Sequence, residues 1–210
     1  MNTTEPLVFD PETHSYTLYG EPVPSVTQVL RYLNADAYAG INPDVLRLAA
    51  ERGTRIHEAC TDVDFDPDCE IDGDIVNYVN AYLAFKRDYG VRDWESYERM
   101  GWSSVMGQMP FAGTADRIGI IDGERTIIDL KTGQVPKATR YRYWAQLWGY
   151  SRIFGNEDVP NLAILQLKKD GKYSFFEASR ADLITARDVW DTCLKLHYLT
   201  AKGGTNGKEE

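Results

Sequence analysis

At 210 residues, 43% hydrophobic and 12% aromatic, the chain can bury one domain-sized core. A formal net charge of −9 excludes binding to nucleic acid through overall charge, because phosphate contacts are driven by basic side chains that displace counterions, so any such surface must be local. No stretch reaches the roughly 20 apolar residues of a membrane helix, and the first nine residues lack the basic-then-apolar pattern of a signal peptide, which together point to a soluble, cytoplasmic, non-membrane protein.

LVFDPETHSYTLYG alternates as a short hairpin, with Asp10-Pro11 and Gly20 as punctuation. Ser25 is an N-cap for a helix through VTQVLRYL. Asn42 followed by Pro43 opens a second helix running toward Cys60, and Arg47, Arg52 and Arg55 crowd this segment. The acidic DVDFDPDCEIDGD reads as a solvated loop without the ligand spacing of an EF-hand. Residues 74–89 have helical periodicity and end at Gly90. From Trp94 the pattern turns to strands: WESYERMGWSS, FAGTADRIGIID and RTIIDLKTG. The helix RYRYWAQLWGYSRIF follows, closed by Gly155. Strands NLAILQLKK and YSFFEAS then flank the turn Asp170-Gly171. ADLITARDVWDTCLKLHYL is the last helix. The chain therefore reads as one α/β domain over residues 1–201, a central sheet flanked by helices, with a disordered tail over 202–210. Cys60, Cys69 and Cys193 are irregularly spaced and make neither a disulfide framework nor a CxxC knuckle.

The chemistry concentrates in the hairpin from Gly113-Thr-Ala-Asp116 to Asp129-Leu-Lys131-Thr-Gly133. Asp122-Gly123 is a preferred type I′ turn. With Ile121 facing Glu124, counting back along both strands sets Asp116 opposite Asp129, with Cβ atoms about 5 Å apart. Lys131 shares their face and is the diagonal neighbour of Asp116. The rest of that face, Ile118, Ile120 and Ile127, is expected to be buried. Two opposed carboxylates in apolar surroundings repel unless a cation joins them, and oxygen ligands suit Mg²⁺ or Mn²⁺. Such an ion can activate water and neutralise a phosphate, with Lys131 beside the attacking water. Taken alone, Asp129-x-Lys131 is a weak pattern, more often a surface cross-strand pair than a site.

GTAD followed by IIDLKTG resembles the core motifs of the RecB-type branch of the PD-(D/E)XK nucleases. Gly53-Thr-Arg-Ile-His57 resembles that branch's upstream G-x-x-x-H helix, and Gln146-x-x-x-Tyr150 its downstream Q-x-x-x-Y helix. The opening FDPETHSYTLYGEPVPSVTQVL is similar to the start of phage exonucleases and of proteins like the mitochondrial genome maintenance exonuclease. The resemblance spans roughly residues 8 to 178. It implies a restriction-endonuclease-like core with a central mixed sheet, and a Mg²⁺-dependent deoxyribonuclease for which Mn²⁺ substitutes. The activity implied is that of an exonuclease working at DNA ends or single strands in phage-type replication or recombination. DNA is then the partner, with a single-strand annealing recombinase or single-strand-binding protein beside it.

The same resemblance implies metal ligation by Asp116, Asp129, the backbone carbonyl of Leu130 and His57, with Glu98 as a further acidic ligand. Lys131, Asp116 and Asp129 are the expected catalytic residues, supported by Gln146 and Tyr150. Arg52, Arg55, Arg140 and Arg142 are candidate DNA contacts, and Tyr141, Tyr143 and Trp144 candidates for stacking on bases, some of them in the core. An iron–sulfur relative needs four cysteines around the core and this chain has three, so no such cluster is expected. A catalytically inactive binding module and a structure-specific or restriction-type endonuclease are the alternatives.

Overall fold

A computed structural model describes residues 6–34, 40–105, 109–155 and 160–203. The opening hairpin, β1 (Leu7–Asp10) and β2 (Ser15–Leu18), gains a third strand, β3 (Glu21–Val23), because Tyr16 and Val23 pair and share one apolar patch with Leu7 and Leu18. This small antiparallel sheet is pinned to the rest of the molecule. The Pro24 carbonyl accepts from Ala112 N at 3.0 Å, and the Tyr16 and Thr114 hydroxyls are 2.8 Å apart.

Ser25 caps as expected, in a reciprocal box with Gln28. The helix it opens is split into two short turns, α1 (Val26–Val29) and α2 (Arg31–Asn34). α3 (Pro43–Phe65) starts at Asn42, whose side chain accepts from Asp44 N at 2.8 Å. It continues past Cys60 and takes in the first four residues of the acidic segment expected as loop. Ile56, Ala59, Cys60 and Val63 form one buried stripe, so burial of Val63 outweighs the local polarity of its neighbours. α4 (Val76–Asp88) packs on that stripe, and Gly90 follows it with a positive φ.

The main sheet is mixed, in the order β4 (Ser96–Val105), β5 (Met109–Ile121), β6 (Glu124–Lys131), β7 (Asn161–Leu167), β8 (Tyr173–Glu177). All neighbours are antiparallel except β6 and β7, which run parallel. A parallel pair needs a crossover, and a 3₁₀ turn (Lys137–Thr139) with α5 (Arg140–Phe154) supplies it. β6 contributes to two cores. Ile127 joins Trp144, Leu147 and Trp190 of α5 and α6 (Arg180–Gly203), whereas Ile128 and Leu130 join Ile56, Cys60, Tyr82 and Phe85 of α3 and α4. The sheet is thus flanked by helices on both faces. α6 reaches Gly203, and residues 204–210 of the expected tail lie outside the described residues. Among the described residues no helix is long and apolar enough to cross a membrane.

Candidate metal centre

The Asp122-Gly123 turn has φ of +51° and +85°, the backbone of a type I′ hairpin. The β5–β6 register runs from Ile121↔Glu124 to Arg117↔Ile128, the alignment expected from the sequence. Ile118 and Ile127 are buried. Ile120 is not, at 56% exposed, because it lies beside the turn, beyond the apolar cluster that holds Ile118. The paired register ends at Arg117↔Ile128. One step further, Leu130 N donates to Asp116 Oδ2 at 2.7 Å, so a side chain takes the amide that a continuing ladder would occupy. The strands part at the point where the two acidic residues stand.

Asp129 is 1% exposed. Lys131 Nζ lies 2.7 Å from its Oδ1 and 2.6 Å from Oδ2, yet Oδ2 has no donor at hydrogen-bonding geometry. Burial pushes the Asp129 carboxyl up to about 6, against the opposing pull of Lys131. Burial alone would lower the Lys131 ammonium, but Asp129 and Asp116 outweigh it and raise it. The ammonium sits 5.4 Å from the centre of the Tyr143 ring.

His57 comes from α3 and Glu98 from β4. Nδ1 of His57 is 3.7 Å from Glu98 Oε1 and 3.8 Å from Asp116 Oδ1. Ligand atoms of His57, Glu98 and Asp116 all lie within 4.8 Å of one another. Glu98 occupies the left-handed region, φ +39°, between the paired positions Tyr97↔Arg117 and Arg99↔Ala115. Burial would lower the His57 imidazole, but Asp116 and a hydrogen bond to Glu98 raise it overall.

A small divalent ion fits this set. Around an octahedral magnesium ion, neighbouring ligands stand about 3.0 Å apart and opposite ones about 4.2 Å, a range that brackets the 3.7 and 3.8 Å separations of His57 from Glu98 and Asp116. The carboxylate donors suit Mg²⁺ or Mn²⁺, whereas the His57 imidazole is a donor better matched to later first-row ions, and Asp129 Oδ2 has only the Lys131 ammonium, 2.6 Å away, beside it. Asp129 itself stands beside the three-residue cluster, held by Lys131, and Leu130 reaches the same cleft while its side chain enters the core.

That cleft, about 900 Å³, is lined by His57, Asp116, Asp129, Lys131, Arg142 and Gln146, among others. Gln146 Nε2 donates to Tyr150 OH at 3.0 Å. Burial, with Asp116 and Asp129 nearby, pushes the Tyr150 hydroxyl far up, which keeps it a neutral phenol. Of the four arginines expected at DNA, Arg52 and Arg142 line the cleft. Arg55 is held by Asp72 and Asp74 at 2.6 and 2.7 Å, and the Arg140 guanidinium lies 3.8 Å over the Phe176 ring. Tyr143 lines the cleft, whereas Trp144 is core.

Three supporting residues escape the motif reading. Gln166 Nε2 donates to the Gly133 carbonyl at 2.7 Å and so fixes the loop after Lys131. Arg117 and Thr61 are joined at 2.8 Å behind the acidic cluster. The signal for Arg117 was available: a guanidinium in the apolar strand ADRIGII must be buried with partners or break the strand's pattern.

No protein-family model matches the chain, and no curated protein matches it. Among solved structures 13 chains match. One, described as the crystal structure of SSO0001, is 18% identical over 77% of this chain and 83% of its own, with a TM-score of 0.33. At that level the likeness carries no argument.

Proposed function

We propose that this chain is a divalent-metal-dependent deoxyribonuclease that hydrolyses phosphodiester bonds at DNA ends or on single strands. The observation that carries the reading is the cluster of His57, Glu98 and Asp116 at the edge of the cleft that His57 and Asp116 line together with the Asp129–Lys131 pair. His57, Glu98, Asp116 and Asp129 would hold the ion. Such an ion, when bound, supplies an acidified water and neutralises charge on the scissile phosphate.

The chain's own residues do the rest. Lys131, kept cationic by Asp129 and Asp116, orients the attacking water and faces the developing phosphate charge. Gln146 lines the cleft beside the carboxylates, and Tyr150, buried behind it, accepts from its amide and holds it in place. Arg52 and Arg142 bind the phosphate backbone on either side. The apolar cover of Ile118 and Ile127 excludes water from beneath and strengthens each of these interactions.

The test is digestion of end-labelled linear, closed-circular and single-stranded DNA with Mg²⁺ or Mn²⁺, beside a chelator control. Lys131→Ala is expected to lower kcat about 10²–10³-fold, the usual loss when one preorganised electrostatic group is removed. Cleavage of closed circles overturns the exonuclease part. Metal-independent cleavage, or full activity in Lys131→Ala, overturns the whole.

A further inference from the structure

Behind the acidic cluster lies a guanidinium that no motif accounts for. Arg117 is 0% exposed, and its hydrogen bonds run to all three elements that supply the cluster. On its own strand Nη1 donates to the Asp116 carbonyl at 2.7 Å. Toward β4, Nη1 lies 3.5 Å from Glu98 Oε1. Toward α3, Nη2 donates to Thr61 Oγ1 at 2.8 Å. That hydroxyl in turn donates to the His57 carbonyl at 3.1 Å, one helical turn earlier. A single side chain therefore ties together the backbone of Asp116, the carboxylate of Glu98 and the helix position of His57.

The bland alternative is that Arg117 merely neutralises the buried Asp64. Geometry argues against it. Asp64 already has Lys86 as its ion partner and the Tyr82 hydroxyl as a donor. Arg117 Nε stands 3.9 Å from Asp64 Oδ2 and donates to the Tyr82 oxygen at 3.3 Å instead. Tyr82 also accepts from Trp94 Nε1 at 2.6 Å, which fixes the rear of the guanidinium. Nε of Arg117 keeps a longer ion pair to Asp64, and Nη1 faces Glu98, a residue in a left-handed backbone conformation that costs energy unless something holds it.

We infer that Arg117, acting through Thr61, is a positioning residue that presets His57, Glu98 and Asp116 to receive a divalent cation. The inference rests on the metal-dependent reading above and goes beyond it by assigning the preorganisation to one buried side chain. Outer partners of ligands change metal affinity by about 10–100-fold when removed, and that is the scale expected here.

The experiment is Mn²⁺ titration of the full-length protein, followed by loss of the free-ion electron paramagnetic resonance signal, beside thermal melts in chelator. Thr61→Val keeps the shape of the side chain and removes the hydroxyl. It is expected to weaken Mn²⁺ binding about 10-fold while the chelator melt stays near that of wild type. Arg117→Lys keeps the charge but loses the fork and should weaken binding further. Wild-type Mn²⁺ affinity in folded Thr61→Val overturns the inference, and if Arg117→Lys fails to fold, Thr61→Val decides alone. Asp116→Asn is the reference. If wild type binds Mn²⁺, Asp116→Asn does not, and Thr61→Val binds as wild type, only the positioning role falls. If wild type takes up no Mn²⁺, this inference and the metal-dependent reading fall together.

Discussion

At the residue scale, the centre holds protons more tightly folded than unfolded. Asp129 rises from 3.8 to about 6 through burial, and His57 rises above its ordinary 6.5 because Asp116 and Glu98 outweigh its burial. For both, stability is fully present below the unfolded value and is lost as pH climbs through the folded one. In chelator these two groups should make the protein less stable as pH rises from about 4 through about 6 for Asp129, and upward from about 6.5 for His57. The check is the difference in melting temperature between wild type and each of Asp129→Asn and His57→Ala across that range. Asp129→Asn should remove the lower part of the slope and His57→Ala the upper part. With Mn²⁺ present the trend should reverse, since metal ligands must be deprotonated to bind. Parallel slopes with and without the ion would count against the centre.

At the element scale, two glycines serve different purposes, and their alanine variants separate them. Gly123, at φ +85° with open space around its Cβ position, is needed for backbone conformation in the β5–β6 turn. Gly123→Ala should cost about 1 kcal/mol without touching the cleft. Gly149 on α5 is needed for space: a Cβ there would fall 2.7 Å from Trp190 of α6 and 3.0 Å from Val26 of α1. Gly149→Ala should cost about 1–3 kcal/mol as overpacking. Because α5 carries Gln146 and Tyr150, it should also lower activity. Denaturant titration of both variants reads the stabilities, and DNA digestion reads the asymmetry between them.

The same scale shows what the sequence could disclose. Asp-Gly between isoleucine runs sets the hairpin and its register through local turn chemistry, so the pairing as far as Arg117↔Ile128 is legible in the sequence, with Asp116 and Asp129 just beyond it. The Ser25 box and the Asn42-Pro43 start are equally local. Glu98 is different: it meets His57 of α3 at 3.7 Å from a distant part of the chain, and no local pattern encodes that meeting. Val63 carrying α3 into an acidic segment, and β3 joining a hairpin, are likewise decided by burial against distant residues. Arg55 and Arg142 looked alike as basic residues, and only the position of Asp72 and Asp74 separates them.

At the scale of the whole molecule, the net charge of −9 bears directly on how DNA would be held. Among the described residues, the cations lining the cleft are Arg52, Lys131 and Arg142, against acidic groups concentrated where an ion would neutralise them. A single strand loses affinity with a double-logarithmic salt slope near −0.7 per phosphate neutralised, so the two arginines, with Lys131 paired to Asp129, predict a slope of about −1.4. Binding of a labelled single strand, measured in chelator so that it is not cut, should follow that shallow line between about 50 and 200 mM salt. Arg52→Ala and Arg142→Ala should each flatten it by about 0.7. Arg55→Ala and Arg140→Ala should leave it unchanged, because Asp72 and Asp74 hold the first and Phe176 covers the second. A slope several-fold steeper would mean that Lys168, Lys169 and Lys172, at the β7–β8 turn, also carry DNA. The track would then extend well beyond the cleft.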